Sequence, residues 1–152
     1  MTTTLCSHSV TEILEAAAGV VERNGWARET YFQSPGRELK DPRECPVCPR
    51  GAIAVAVGRH PMFVADWPEF CEAKDATDPG EIAELAQAEQ ADRAAIIAAE
   101  ETLTRYLLAE LDHPPTVHRP MIEDWADRPG RTLEQVLAAL RDCARREREA
   151  GR

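Results

Sequence analysis

Two of the chain's five cysteines, Cys45 and Cys48, form a Cys-x-x-Cys pair in which each cysteine is followed by proline. Such a pair can present two thiolates to one zinc ion, and a closed tetrahedral site needs two further Cys or His ligands. His60 and Cys71 are the nearest downstream residues of that type, so Cys45, Cys48, His60 and Cys71 form the candidate metal site; Cys6 and His8 are more distant. The spacing matches no zinc-finger pattern, and no second Cys-x-x-Cys is present. A dithiol redox pair belongs in a βαβ setting, of which there is no sign. The two Cys-Pro dipeptides resemble haem-regulatory motifs but are too short to specify haem. The reading that asks least has no cofactor: Cys48 packs as a small apolar side chain and Cys45 sits exposed in a loop. A zinc-organised module is the alternative.

The remaining chemistry-bearing residues are thinly spread. Trp125 with Asp127 could form a binding constellation, and a pocket bordered by Trp26, Gly51 and Trp125 would be the place for an enzyme. The candidate binding residues are therefore Trp26, Cys48, Gly51, Trp125 and Asp127. Each also has a purely structural reading, in which Trp125 plugs the core and Asp127 caps the turn before Gly130. His113 and His118 lie in proline-rich connections with no nucleophile paired to them. No Ser/His/Asp arrangement, Gly-rich phosphate loop or HExxH motif occurs. The adjacent acids Glu100-Glu101 and Glu123-Asp124 would point in different directions on a helix.

The elements that must position these residues read as helices. Ser9 and Glu12 have the form of a capping box, after which Val10, Ile13, Leu14, Ala17, Ala18 and Val21 make one apolar stripe. Asn24-Gly25 supplies the stop, and Trp26 is expected to fold back over the helix end. Residues 27–50 read as a loop with a single helical turn near Asp41-Pro42. Residues 51–58 fit a buried strand or a short buried helix, and periodicity cannot separate the two. No second convincing strand exists to pair with, so the helix is preferred. Residues 59–80 are irregular, with a turn or two of helix near 68–74.

From 81 to 111 nothing interrupts a helix. Its second half has a seam of Ile96, Ala99, Leu103, Leu107 and Leu111; its first half is poorer, so it either overhangs the core or breaks near Gln90. Met121, Ile122 and Trp125 suggest a short helical turn. A second capping box, Thr132 with Gln135, opens a final helix with the stripe Leu133, Val136, Leu137, Leu140 and Ala144.

At 152 residues the chain fits one domain, 1–152, large enough for a real core. The net charge of −9 argues against direct binding to nucleic acid or to an anionic membrane. Acidity is concentrated in residues 81–112, which carry 2 basic and 8 acidic groups, net −6. That segment is either a solvated helix face or a surface for a basic partner. A nucleic-acid mimic would need a contiguous double row of charge, which one helical face does not supply. No apolar stretch approaches the roughly 20 residues that cross a bilayer. The N-terminus lacks the pattern of a signal peptide, which points to the cytoplasm.

Gly25-Trp26, Cys48-x-x-Gly51-Ala52-Ile53, and Trp125-x-Asp127 leading into Pro129-Gly-Arg-Thr132 recur together in one order. In this the chain resembles a family of small uncharacterised proteins from actinobacteria and their phages, known only as a domain of unknown function. The resemblance implies a single all-helical domain and a helix at 51–58, and it supplies no activity. The family pattern has Trp-Asn-Asp where this chain has Trp125-Ala126-Asp127. Its cysteine corresponds to Cys48, while Cys45 is particular to this chain.

The expectation is an all-α domain of four to six helices, with a short buried central helix and proline-rich connections. It is expected to act by binding another protein, in a phage or prophage setting.

Overall fold

The computed structural model describes residues 8–28, 30, 41–63, 77–110 and 121–151. Among them are five α-helices and no strand: α1 (Val10–Asn24), α2 (Pro49–Ala56), α3 (Pro79–Glu110), α4 (Met121–Ala126) and α5 (Leu133–Glu149), with a 3-10 turn at Pro42–Glu44. The all-helical reading holds. The expected turn near 68–74, the connection holding His113 and His118, and the last seam residue, Leu111, lie outside the described residues.

Both capping boxes form. Ser9 Oγ accepts from Glu12 N while Glu12 accepts from Ser9 N, and Thr132 with Gln135 does the same at the start of α5. These pairs satisfy amide groups that a helix start would otherwise leave without partners. α1 turns its stripe of Ile13, Leu14, Ala17, Ala18 and Val21 inward, and it packs most extensively on α5 and α2. From α5 the core receives Val136, Leu140 and Ala144. Each fully buried Val, Leu or Ile contributes about 1.5–3 kcal/mol.

α1 ends at Gly25, whose φ of 101° suits glycine. A Cβ there would also lie 3.4 Å from the Pro46 ring. The chain then runs briefly parallel to residues 46–48. Ala27 N donates to Val47 O at 3.0 Å and Val47 N donates to Gly25 O at 3.1 Å, forming an isolated bridge between Trp26 and Val47. This pairing satisfies backbone groups beside the fully buried Val47.

Residues 51–58 resolve in favour of helix. Cys48 is the cap, with its Sγ accepting from Gly51 N at 3.4 Å, and Pro49 takes the first helical position, where its missing N–H costs nothing. Ala52, Ile53 and Ala54 are completely buried. With no strand among the described residues to pair with, an eight-residue segment enters the core by satisfying its own backbone, and a helix does that.

α3 runs unbroken for 32 residues through the point near Gln90 where a break was one alternative. Asp78 Oδ2 accepts from Glu81 N at 3.0 Å at its start. Ile96, Ala99, Leu103 and Leu107 are buried as the seam requires, whereas residues 79–90 are exposed or half-buried throughout. The first half of α3 overhangs the core.

Candidate functional site

Cys45 is not exposed in a loop. It is buried, at 1% exposure, and its Sγ donates to Asp41 O at 3.6 Å. The bridge through Val47 draws residues 45–48 into the core, a long-range pairing that local spacing does not encode. Cys48 is buried as expected and serves as a helix cap as well. Burial pushes its thiol up to about 12, with the Glu123 charge adding to the effect and the Gly51 and Arg50 amides opposing it. His60 Nδ1 accepts from Met62 N at 3.0 Å, and burial lowers its pKa from the ordinary histidine value. Among the described residues no group of three or more His, Cys, Asp or Glu is placed to hold a metal ion. Cys71, the fourth residue of the candidate site, lies outside them.

The aromatic candidates converge. The Arg28 guanidinium lies 4.2 Å from the Trp26 ring centroid, and the Arg131 guanidinium lies 4.2 Å from that of Trp125. Arg28 Nη2 donates to Arg131 O, and Arg131 Nε donates to Trp125 O at 3.0 Å. The result is a Trp26–Arg28–Arg131–Trp125 ladder that ties the end of α1 to the turn between α4 and α5. Desolvation by burial lowers the Arg131 pKa, with Arg128 adding repulsion. Trp125 is 3% exposed, as its role as a core plug requires. Trp26 Nε1 is buried without an acceptor among the described residues. Asp127 is half-buried, and its N–H closes α4 on Glu123 O at 2.9 Å. Arg28 was no candidate from sequence, and Arg131 stood only inside the Pro-Gly-Arg-Thr motif. Both are read as partners only once the chain has folded.

A second junction joins α2, α3 and α4. Arg50 Nε donates to Glu100 Oε1 at 3.1 Å and Arg50 Nη1 to Glu123 Oε1 at 2.8 Å, with all three side chains 15–17% exposed. Burial raises the Glu100 pKa, Arg50 opposes that rise, and the Glu123 charge reinforces it. As expected for sequence neighbours on a helix, Glu100 faces this junction while Glu101 stays exposed. Beside it opens a cleft of ≈510 Å3 lined by Arg50, Ile97, Glu100, Glu101, Thr104, Arg105 and Ile122.

Further along, Arg59 Nε pairs with Asp92 Oδ2 at 2.6 Å, and the buried Phe63 ring is flanked by Arg59 and Arg93 at 5.1 and 4.7 Å. Between α3 and α5, Tyr106 Oη donates to Asp142 Oδ2 at 2.8 Å, with clefts of ≈390 and ≈310 Å3 on its two sides. None of these three clefts brings Trp26, Gly51 and Trp125 together. Gly51 is buried in α2, where its N–H donates to the Cys48 cap.

No helix among the described residues is long and apolar enough to cross a membrane. The model of a family of unknown function, DUF6197, matches residues 6–146, and the chain belongs to that family. No curated protein and no solved structure matches it.

Proposed function

We propose that this member of the family works by binding another protein through the outer face of α3. One observation carries the reading. The large apolar side chains left exposed among the described residues are Ile82, Ile97 and Leu108, and all three belong to α3. An exposed apolar residue alone means little, but a group confined to one element is a mark of an interaction surface. Ile97 and Leu108 are eleven residues apart, about three turns, and so share a face. The same helix lies in the net −6 segment, which adds selectivity for the partner's charge.

The test places a photo-crosslinking amino acid at position 82, at 97, or at Glu134 on α5, in the source cells at native expression. A partner captured from 82 or 97 and not from 134 supports the reading. No adduct from α3, or the same set of adducts from all three positions, overturns it.

A further inference from the structure

The cleft of ≈310 Å3 between α3, α4 and the start of α5 combines an aromatic wall with a cation that no carboxylate answers. Arg131, Gln135, Ala138, Ala139 and Asp142 recur at helical spacing, so the opening turns of α5 present one face to it, and Tyr106 and Trp125 complete the wall. Its charges are uneven once their partners are counted. The wall's carboxylate, Asp142, is held by both Arg145 and Arg146, and it accepts from Tyr106 Oη at 2.8 Å. The wall's cation is Arg131. Its Nε donates to Trp125 O at 3.0 Å and its guanidinium lies over the Trp125 ring, but its two terminal nitrogens have no partner among the described residues. Arg128 adds positive charge nearby and is itself paired with Asp124. Gln135 gives its Oε1 to Thr132 N, which leaves its Nε2 as a further donor.

We infer that this cleft binds a small organic acid, with the acid's carboxylate on Arg131 and its apolar body against Tyr106, Ala138 and Ala139. A guanidinium matches a carboxylate with two parallel hydrogen bonds, and the terminal nitrogens of Arg131 are the ones left for that purpose. The stacking on Trp125 and the bond to Trp125 O already hold this fork, so binding an anion immobilises little that was free. One guanidinium and one amide suit a single negative charge; a phosphate dianion would need more. At ≈310 Å3 the cleft is at the low end of ligand pockets, about 300–1,000 Å3, which limits the body to about one ring. A cationic ligand would meet Arg131, and a neutral one would leave its donors unmatched. The site is separate from the exposed apolar side chains of α3, so this inference and the protein-binding reading can fail independently.

Phenylacetate is the probe, with phenylacetamide as its neutral counterpart, phenethylamine as a cationic one and inorganic phosphate as competitor. Calorimetric titration of the full chain at physiological salt is expected to show saturable binding of phenylacetate, at least about tenfold tighter than that of the amide or the amine. Arg131→Gln should weaken it by about tenfold or more. Ala138→Leu, which fills the cleft and leaves Arg131 in place, should do the same. Arg128→Gln removes a cation outside the wall and should change the affinity by no more than about twofold. Circular dichroism confirms that each variant is folded, and Ala138→Leu carries the test if Arg131→Gln is not. No saturable binding at millimolar phenylacetate, or equal binding of acid and amide, would overturn the inference. So would equal losses from Arg128→Gln and Arg131→Gln, an Ala138→Leu variant that binds as the parent does, or phosphate that displaces phenylacetate at equal concentration.

Discussion

Two seams of this molecule use the same ion-pair chemistry in different solvent. Across α1 and α5, Arg141 pairs with Glu22 and Arg148 with Glu15, on side chains 43% to 61% exposed. Beneath them lie Leu14, Val21, Val136 and Leu140, all buried. At the junction of α2, α3 and α4, Arg50 pairs with Glu100 and Glu123 on side chains about a third as exposed. Water already solvates the first set, so those pairs add little beyond the apolar contact. The second set has given up much of its hydration, and the attraction of Arg50 must offset that loss. One seam is apolar with ionic trimming; the other depends on a single guanidinium.

The sharpest way to break this contrast is Arg50→Ala, which leaves two carboxylates without their cation. It should cost about 3 kcal/mol, read as a lower urea midpoint with an unchanged slope. Replacing Arg50, Glu100 and Glu123 together by Met, Leu and Leu should recover most of that loss. A small effect of Arg50→Ala would mean that water reaches the junction and the two seams are alike.

A smaller effect is expected of Arg131→Ala, which removes the stacking on Trp125 and one hydrogen bond. About 1–2 kcal/mol is expected, accompanied by a change in tryptophan fluorescence. Tyr106 refines the comparison on the α3–α5 side. Burial first, and then Asp142, raise its phenol from 10.0 to about 12. A group whose pKa rises on folding stabilises the fold below its unfolded value, so this contribution is present below pH 10 and is lost as pH climbs towards 12. In a Tyr31→Phe background, which removes the chain's other tyrosine, ultraviolet titration should find the remaining phenol near 12, and Asp142→Asn should bring it part of the way down. Least of all, Arg148→Ala and Arg141→Ala should each change stability by no more than about 0.5 kcal/mol. A larger loss would erase the distinction between the seams.

The sequence announced what is local. α1 and α5 are marked by capping boxes and stripes, and the length of α3 by the lack of any breaker. α2 was harder, since eight residues carry too little periodicity, and the helix was preferred for want of a second strand; the cap at Cys48 followed by Pro49 is the local signal that went unread. What stayed hidden is non-local. Arg50 lies 50 residues from Glu100 and 73 from Glu123, so their junction exists only after three helices have docked. The burial of Cys45 follows from the Trp26–Val47 pairing, across a connection with no period to read. Of the candidate site residues, Trp26 and Trp125 do share a neighbourhood, but through Arg28 and Arg131, which the sequence did not mark for that role.

The overhang of α3 has a dynamic consequence. At about 1.5 Å per residue the helix is roughly 48 Å long, in a domain whose radius of gyration should be about 15 Å. Beyond Asp92 towards Pro79, its hydrogen bonds rely more on helical cooperativity than on packing, and a helix end with little packing frays. Opening free energy should therefore fall steadily along those amides, leaving one element with a fixed end and a breathing end. A partner gripping the breathing end would have to order it, and its arrival would register as exchange protection spreading outward from the core.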